Sequence, residues 1–133
     1  MNVTTSEDFK EQFYKTCDAM LHARSDGETF GLAVAEMSVR NKPVITQGWV
    51  RRYSDAHLKI LGDKGYYYLT EADIIRIVSK FVDEGGIPQD VDYNSYRDYY
   101  PIMVMKTFKS MFLDLTVPSV SNASNFEYNK TVW

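Results

Sequence analysis

Residues 19–46 read AMLHARSDGETFGLAVAEMSVRNKPVIT, and this stretch decides the fold. Its start, Ala19-Met20-Leu21-His22-Ala23, is a short apolar run suited to a buried strand. Arg24-Ser25-Asp26-Gly27-Glu28 is a loop by composition. Residues 29 to about 40 are apolar on most sides (Phe30, Leu32, Val34, Met37, Val39), which predicts a helix. Asn41 is a suitable C-cap, and Pro43 prevents the helix from continuing. Val44-Ile45-Thr46 then reads as a second, β-branched strand. Strand, loop, helix and strand in this length predict a right-handed βαβ crossover between parallel strands.

The pattern extends in both directions. Upstream, Phe9, Phe13 and Tyr14 share one face of a helix over residues 5–16, with Ser6 as N-cap. Downstream, residues 47–54 form a loop that carries Gly48, Trp49 and the pair Arg51-Arg52. A short helix over residues 55–61 ends at Gly62, and Gly65-Tyr66-Tyr67-Tyr68-Leu69 reads as a third strand. Thr70 with Asp73 three residues on opens a helix to about residue 83, whose apolar positions are Ile74, Ile77, Val78 and Phe81. Gly85-Gly86-Ile87-Pro88 ends it. Residues 90–100 are acidic, tyrosine-rich and irregular. Pro101 suits the first turn of a last helix to about residue 113, with Met105, Phe108, Met111 and Phe112 facing the body. The domain is expected over residues 1–115, and residues 116–133 are expected to be a C-terminal tail without periodicity. Alternating strands and helices predict a narrow, mostly parallel sheet of three to four strands flanked by helices.

Length and composition narrow the function. A chain of 133 residues fits one domain and not two full α/β domains. Fifteen basic against eighteen acidic residues give a net charge of −3, which argues against a nucleic-acid partner. No apolar run approaches the ~20 residues of a membrane span, and the start has no basic and apolar leader. The single cysteine, Cys17, cannot form an internal disulfide, which fits a reducing, cytoplasmic setting. His22 and His57 are too far apart in sequence for a cysteine–histidine metal signature, so no metal is expected.

Chemistry concentrates after the first strand. In open α/β sheets ligands bind beyond the carboxyl ends of the strands, where Arg24-Ser25-Asp26-Gly27-Glu28-Thr29-Phe30-Gly31 falls. Gly27 and Gly31 permit tight turns and close approach of a ligand. The N–H groups of Phe30, Gly31 and Leu32 can meet an anion. Asp26 and Glu28 would repel a bare phosphate, yet carboxylates accept hydrogen bonds from hydroxyls. A ligand with both a diphosphate and hydroxyl groups reconciles the two, and a nucleotide-sugar is such a ligand. Glu36, on an otherwise apolar helix, needs a partner. It can reach toward the ligand end of the helix, or pair with Arg40 at i+4 as a surface salt bridge.

Asp26-Gly-Glu-Thr-Phe-Gly-Leu-Ala-Val-Ala-Glu36, followed by Asn41-Lys-Pro-Val-Ile-Thr46, resembles the donor-binding segment of family 4 retaining glycosyltransferases of the GT-B fold. The resemblance covers roughly residues 9–83. It implies a small three-layer, Rossmann-like α/β partial domain that matches the C-terminal, donor-binding half of such enzymes. It implies that Glu28 is the catalytic-site carboxylate contacting the transferred sugar, and that Glu36 binds the ribose hydroxyls. Gly27, Thr29, Phe30, Gly31 and Leu32 would line the donor, with His22 and Arg24 as further candidates. The implied ligand is a nucleotide-diphospho-sugar, with no metal or other cofactor. The family's basic pair for the diphosphate and its acceptor-binding domain have no counterpart in this sequence; Arg24, Arg51 and Arg52 are the candidates to stand in for the pair. Catalysis would therefore need a partner acceptor domain. The alternative is a non-catalytic remnant or interaction module of the same fold that self-associates as a homo-oligomer.

Overall fold

The computed structural model describes residues 7–52 and 54–114. The expected Ser6 cap and the 116–133 tail lie outside the described residues. In chain order the elements are α1 (Glu7–Thr16), β1 (Met20–His22), α2 (Leu32–Ser38), β2 (Val44–Gln47), α3 (Ala56–Leu61), β3 (Tyr66–Tyr68) and α4 (Glu71–Asp83). The described residues up to Tyr100 form one compact unit, and those from Pro101 form a second. The second unit holds α5 (Pro101–Phe108), prolonged by a π-helical turn over Lys109–Leu113. Its Phe108 and Phe112 rings lie 5.1 Å apart. Met105, Phe108, Met111 and Phe112, the residues expected to face the body, all lie in this second unit.

The three strands pair in parallel in the order β1-β2-β3, with Met20 opposite Val44 and Ile45 opposite Tyr66. Side chains alternate between the two faces of a strand, so this register sorts the core. Met20, Val44 and Tyr67 meet Val34 and Met37 of α2 and Leu61 of α3 on one face. Ile45, Tyr66 and Tyr68 meet Ile77 and Phe81 of α4 on the other. The result is a three-layer α/β arrangement with a narrow, wholly parallel sheet. Leu21 departs from the expected buried strand: it is 53% exposed. Its neighbour in register is Ile45, so it faces the α4 side, but β1 is the edge strand away from the β3 strand that α4 packs on.

Local chemistry sets the helix ends. The Thr70–Asp73 pair closes a capping box: Thr70 Oγ1 accepts from the Asp73 N–H at 3.4 Å, and Asp73 Oδ2 accepts from the Thr70 N–H at 3.0 Å. Helix α2 is shorter than its apolar pattern, because Gly31 at φ 79° cannot belong to a right-handed helix. Its other end closes at Asn41, in the left-handed region at φ 58°. There the Lys42 N–H reaches Met37 O at 3.1 Å and the Asn41 N–H reaches Ser38 O at 3.0 Å, a Schellman closure.

Residues 90–96 are irregular, as expected, but Arg97–Tyr99 form a 3-10 turn, and the segment contributes to the core. Asn41 Oδ1 accepts from the Tyr93 N–H at 2.7 Å, and its Nδ2 donates to Val91 O at 3.0 Å. Ser38 Oγ donates to Tyr93 O and accepts from the Ser95 N–H. These bonds seat Tyr93 and Tyr96, both buried. Among the described residues, no helix is long and apolar enough to cross a membrane.

Candidate functional site

Glu28 follows the carboxyl end of β1, and its backbone is held before its side chain is considered. The Glu28 N–H donates to Ser54 O at 2.9 Å, and Glu28 pairs with Asp55 in an isolated parallel bridge. Beside it the Arg51 N–H donates to Ser25 O at 2.9 Å. The loops after β1 and β2 are thus stitched together, as neighbouring parallel strands require of loops that leave the same end of a sheet. Gly27 makes that seam possible. It sits at φ +86°, and a Cβ there would lie 2.4 Å from both Ser54 O and Val50 Cγ1.

The Glu28 carboxylate is oriented from two sides. Arg24 Nη1 donates to Glu28 Oε1 at 2.9 Å, and His22 Nε2 lies 3.7 Å from the same oxygen. A quarter of the Glu28 side chain remains open to solvent, against 8% of the His22 side chain. His22 Nδ1 is 2.9 Å from Thr46 Oγ1, the residue opposite it in the β1–β2 register. The strand pairing therefore sets the imidazole plane, and the imidazole faces the carboxylate. The structure brings His22 and Arg24 to the Glu28 carboxylate, with Gly27 directly before it in the loop.

Two residues complete the site that the sequence reading did not single out. His57, in the first turn of α3, packs edge-to-face on His22 with ring centroids 5.3 Å apart. It is 1% exposed, and its Nδ1 has no hydrogen-bond partner among the described residues. Tyr96, wholly buried, donates its hydroxyl proton to Phe30 O at 2.6 Å and packs its ring against Phe30 at 5.2 Å. Both crowd Gly31, whose Cβ would lie 3.1 Å from His57 Cβ and 3.5 Å from the Tyr96 hydroxyl. Phe30 and Gly31 are thus a supported floor, while Thr29 and Leu32 are exposed at its rim. The only signal in the sequence for Tyr96 was the tyrosine richness of its segment. For His57 it was a position on the inner side of a short helix.

Burial, followed by the proximity of His22, holds the His57 imidazole below the ordinary value of 6.5. The folded state therefore favours neutral His57, and the unfolded chain takes up the proton more readily. Its contribution to stability is complete above about pH 6.5 and is lost as the pH falls below that value. Melting temperatures measured from pH 5 to pH 8 are expected to fall less steeply on the acid side for His57→Gln than for the parent chain. The difference is limited to one proton, about 1.4 kcal/mol per pH unit at most. Parallel curves would remove His57 as the source.

Glu36 is placed elsewhere. Its carboxylate accepts from the Tyr14 hydroxyl and from Lys10 Nζ at 3.1 Å, both on α1. The Tyr14 hydrogen bond is the main cause that holds the Glu36 carboxyl below the usual carboxylate range, and the same bond raises the Tyr14 hydroxyl. Arg40 does not meet the Glu36 carboxylate: its guanidinium bonds the Glu36 carbonyl and the Glu11 carboxylate, and lies 4.3 Å over the Tyr14 ring. Glu36 thus ties α1 to α2, with about a third of its side chain exposed. A cleft of about 340 Å³ opens between residues 60–64 and 94–98, outside the Glu28 loop. No family model, curated protein or solved structure matches the chain.

Proposed function

We propose that this chain binds a nucleotide-diphospho-sugar through the Glu28 loop, as the donor side of a retaining glycosyl transfer completed by a separate acceptor-binding domain. The observation that carries the reading is the Glu28 carboxylate, held by Arg24 with His22 beside it at the carboxyl end of a parallel strand and partly open. An ionised carboxylate only accepts hydrogen bonds, so it selects hydroxyl donors, and a sugar offers several. Preorientation by the Arg24 guanidinium lowers the cost of ordering the site when ligand arrives. Glu36, ionised and partly exposed, retains lone pairs beyond those used by Tyr14 and Lys10 and can accept ribose hydroxyls. Thr29, Leu32 and the Phe30–Gly31 backbone supply the remaining donor-binding surface.

The test is a titration of isotopically labelled protein with UDP-glucose, GDP-mannose and ADP-glucose, followed at the amides of residues 24–36. One of the three is expected to shift these amides at millimolar concentration. Glu28→Gln should weaken that ligand at least about tenfold, the scale of a hydrogen bond to a charged group. Absence of any shift with all three ligands at that concentration would overturn the reading.

A further inference from the structure

The sheet ends at β1, and among the described residues no strand pairs with its outer side. The Met20 N–H donates inward, to Pro43 O at 3.0 Å. Backbone groups alternate in direction along a strand, so the N–H and C=O of Leu21 point outward, with those of Ala19 and Ala23. Proteins commonly blunt such an edge with lysine, proline or a covering element. This edge instead carries Leu21, 53% exposed, with Ala19 and Ala23 beside it on the same face of the strand. The stretch Asp18-Ala-Met-Leu-His-Ala-Arg24 is also self-complementary when reversed. Turned about a two-fold axis through Leu21, it sets Leu21 against Leu21, Ala19 against Ala23 and Met20 against His22. Its ends then match by charge, because Asp18 of each copy meets Arg24 of the other. Both are exposed, and the Arg24 bond to Glu28 through Nη1 leaves guanidinium donors for a second carboxylate.

We infer that the β1 edge takes a second copy of this chain: the two β1 strands pair antiparallel about Leu21 and join two three-stranded sheets into one. A parallel pairing would set Asp18 against Asp18 and Arg24 against Arg24, so charge selects the antiparallel one. In it the two Leu21 residues form a hydrogen-bonded pair, each donating and accepting one N–H···O bond. Ala19 and Ala23 pair in the same way on either side, using only backbone groups that point outward. The contact is isologous and closes at two copies. The two Glu28 loops leave opposite ends of the strand pair, and nothing in the pairing depends on what Glu28 binds. Residues 19–23 from each copy bury less than a standard interface, so the dimer is weak, half-associated between about 10 μM and 1 mM.

Sedimentation equilibrium of the whole chain across about that concentration range is expected to show monomer and dimer in exchange. Leu21→Lys sets like charges face to face and removes the apolar contact, so it should weaken the dimer at least about tenfold. Val82→Lys, the same change at an exposed position of α4, should alter it less than about twofold. Asp18→Arg meets Arg24 twice across the two-fold axis and should weaken the dimer at least about threefold at low salt, and less at about 1 M salt. The register is read directly in a mixture of labelled and unlabelled chains. A contact between the Met20 Hα of one copy and the His22 Hα of the other, the close non-hydrogen-bonded pair, is expected. A chain that stays monomeric throughout overturns the inference, and a protected Leu21 N–H in that monomer assigns the edge to another segment of the chain. A dimer that Leu21→Lys leaves intact, or weakens no more than Val82→Lys does, forms through another face and overturns it. So does a dimer without the Met20–His22 contact.

Discussion

Replacing Gly27 with alanine is expected to lower the melting temperature by roughly 15 °C, one of the two largest single-residue effects in the site. Two costs act together. A residue with a Cβ at φ +86° sits in the left-handed region, which costs about 1–2 kcal/mol. The added methyl would also lie 2.4 Å from Ser54 O and from Val50 Cγ1, and one of these is backbone held by the Glu28 N–H. Such overpacking costs about 1–3 kcal/mol. A total near 3 kcal/mol converts to the stated shift at about 4–8 °C per kcal/mol for a domain of this size. Gly85 supplies the comparison. It too has a positive φ, +78°, but nothing lies within 4 Å of its Cβ position. Gly85→Ala therefore bears the conformational cost alone, about 1–2 kcal/mol. Thermal unfolding of both variants separates the two causes. Equal losses would mean that the seam between the two loops is not packed.

The comparison of Gly27 with Glu36 shows which parts of the site were legible in the sequence. Gly27 and Gly31 are legible because backbone freedom is a property of the residue itself, and both are in the left-handed region. The capping box at Thr70 and Asp73 and the parallel pairing of residues 20–22 with 44–46 are legible for the same reason: each depends on residues close in sequence or on period. Glu36 was not legible in this way. Its partners Lys10 and Tyr14 stand 26 and 22 residues away on a helix whose docking no local rule fixes. His57 and Tyr96 were missed because each acts on the loop only through tertiary packing. Helix α2 began later than its apolar pattern because a left-handed Gly31 overrides periodicity.

Tyr96 is the residue for which that distance from the loop has the largest consequence. Truncation to alanine removes a wholly buried aromatic ring and is expected to cost about 3–5 kcal/mol. The sharper experiment is Tyr96→Phe, which keeps the ring and its edge-to-face contact with Phe30 but removes the donor to Phe30 O. A buried carbonyl left without its partner costs about 1–3 kcal/mol. The loss is local in origin, so native-state amide exchange should be uneven. The Glu28 and Ala35 amides, bonded to Ser54 O and Gly31 O, should exchange faster by more than the amides of Ile77 and Phe81 in α4. Uniform acceleration through the whole unit would mean that Tyr96 supports the core and not the loop. With local acceleration, a side chain 66 residues from Phe30 in sequence holds the floor beneath Glu28. The order of the candidate site is then a property of the 90–100 segment as much as of the βαβ unit that carries its chemistry.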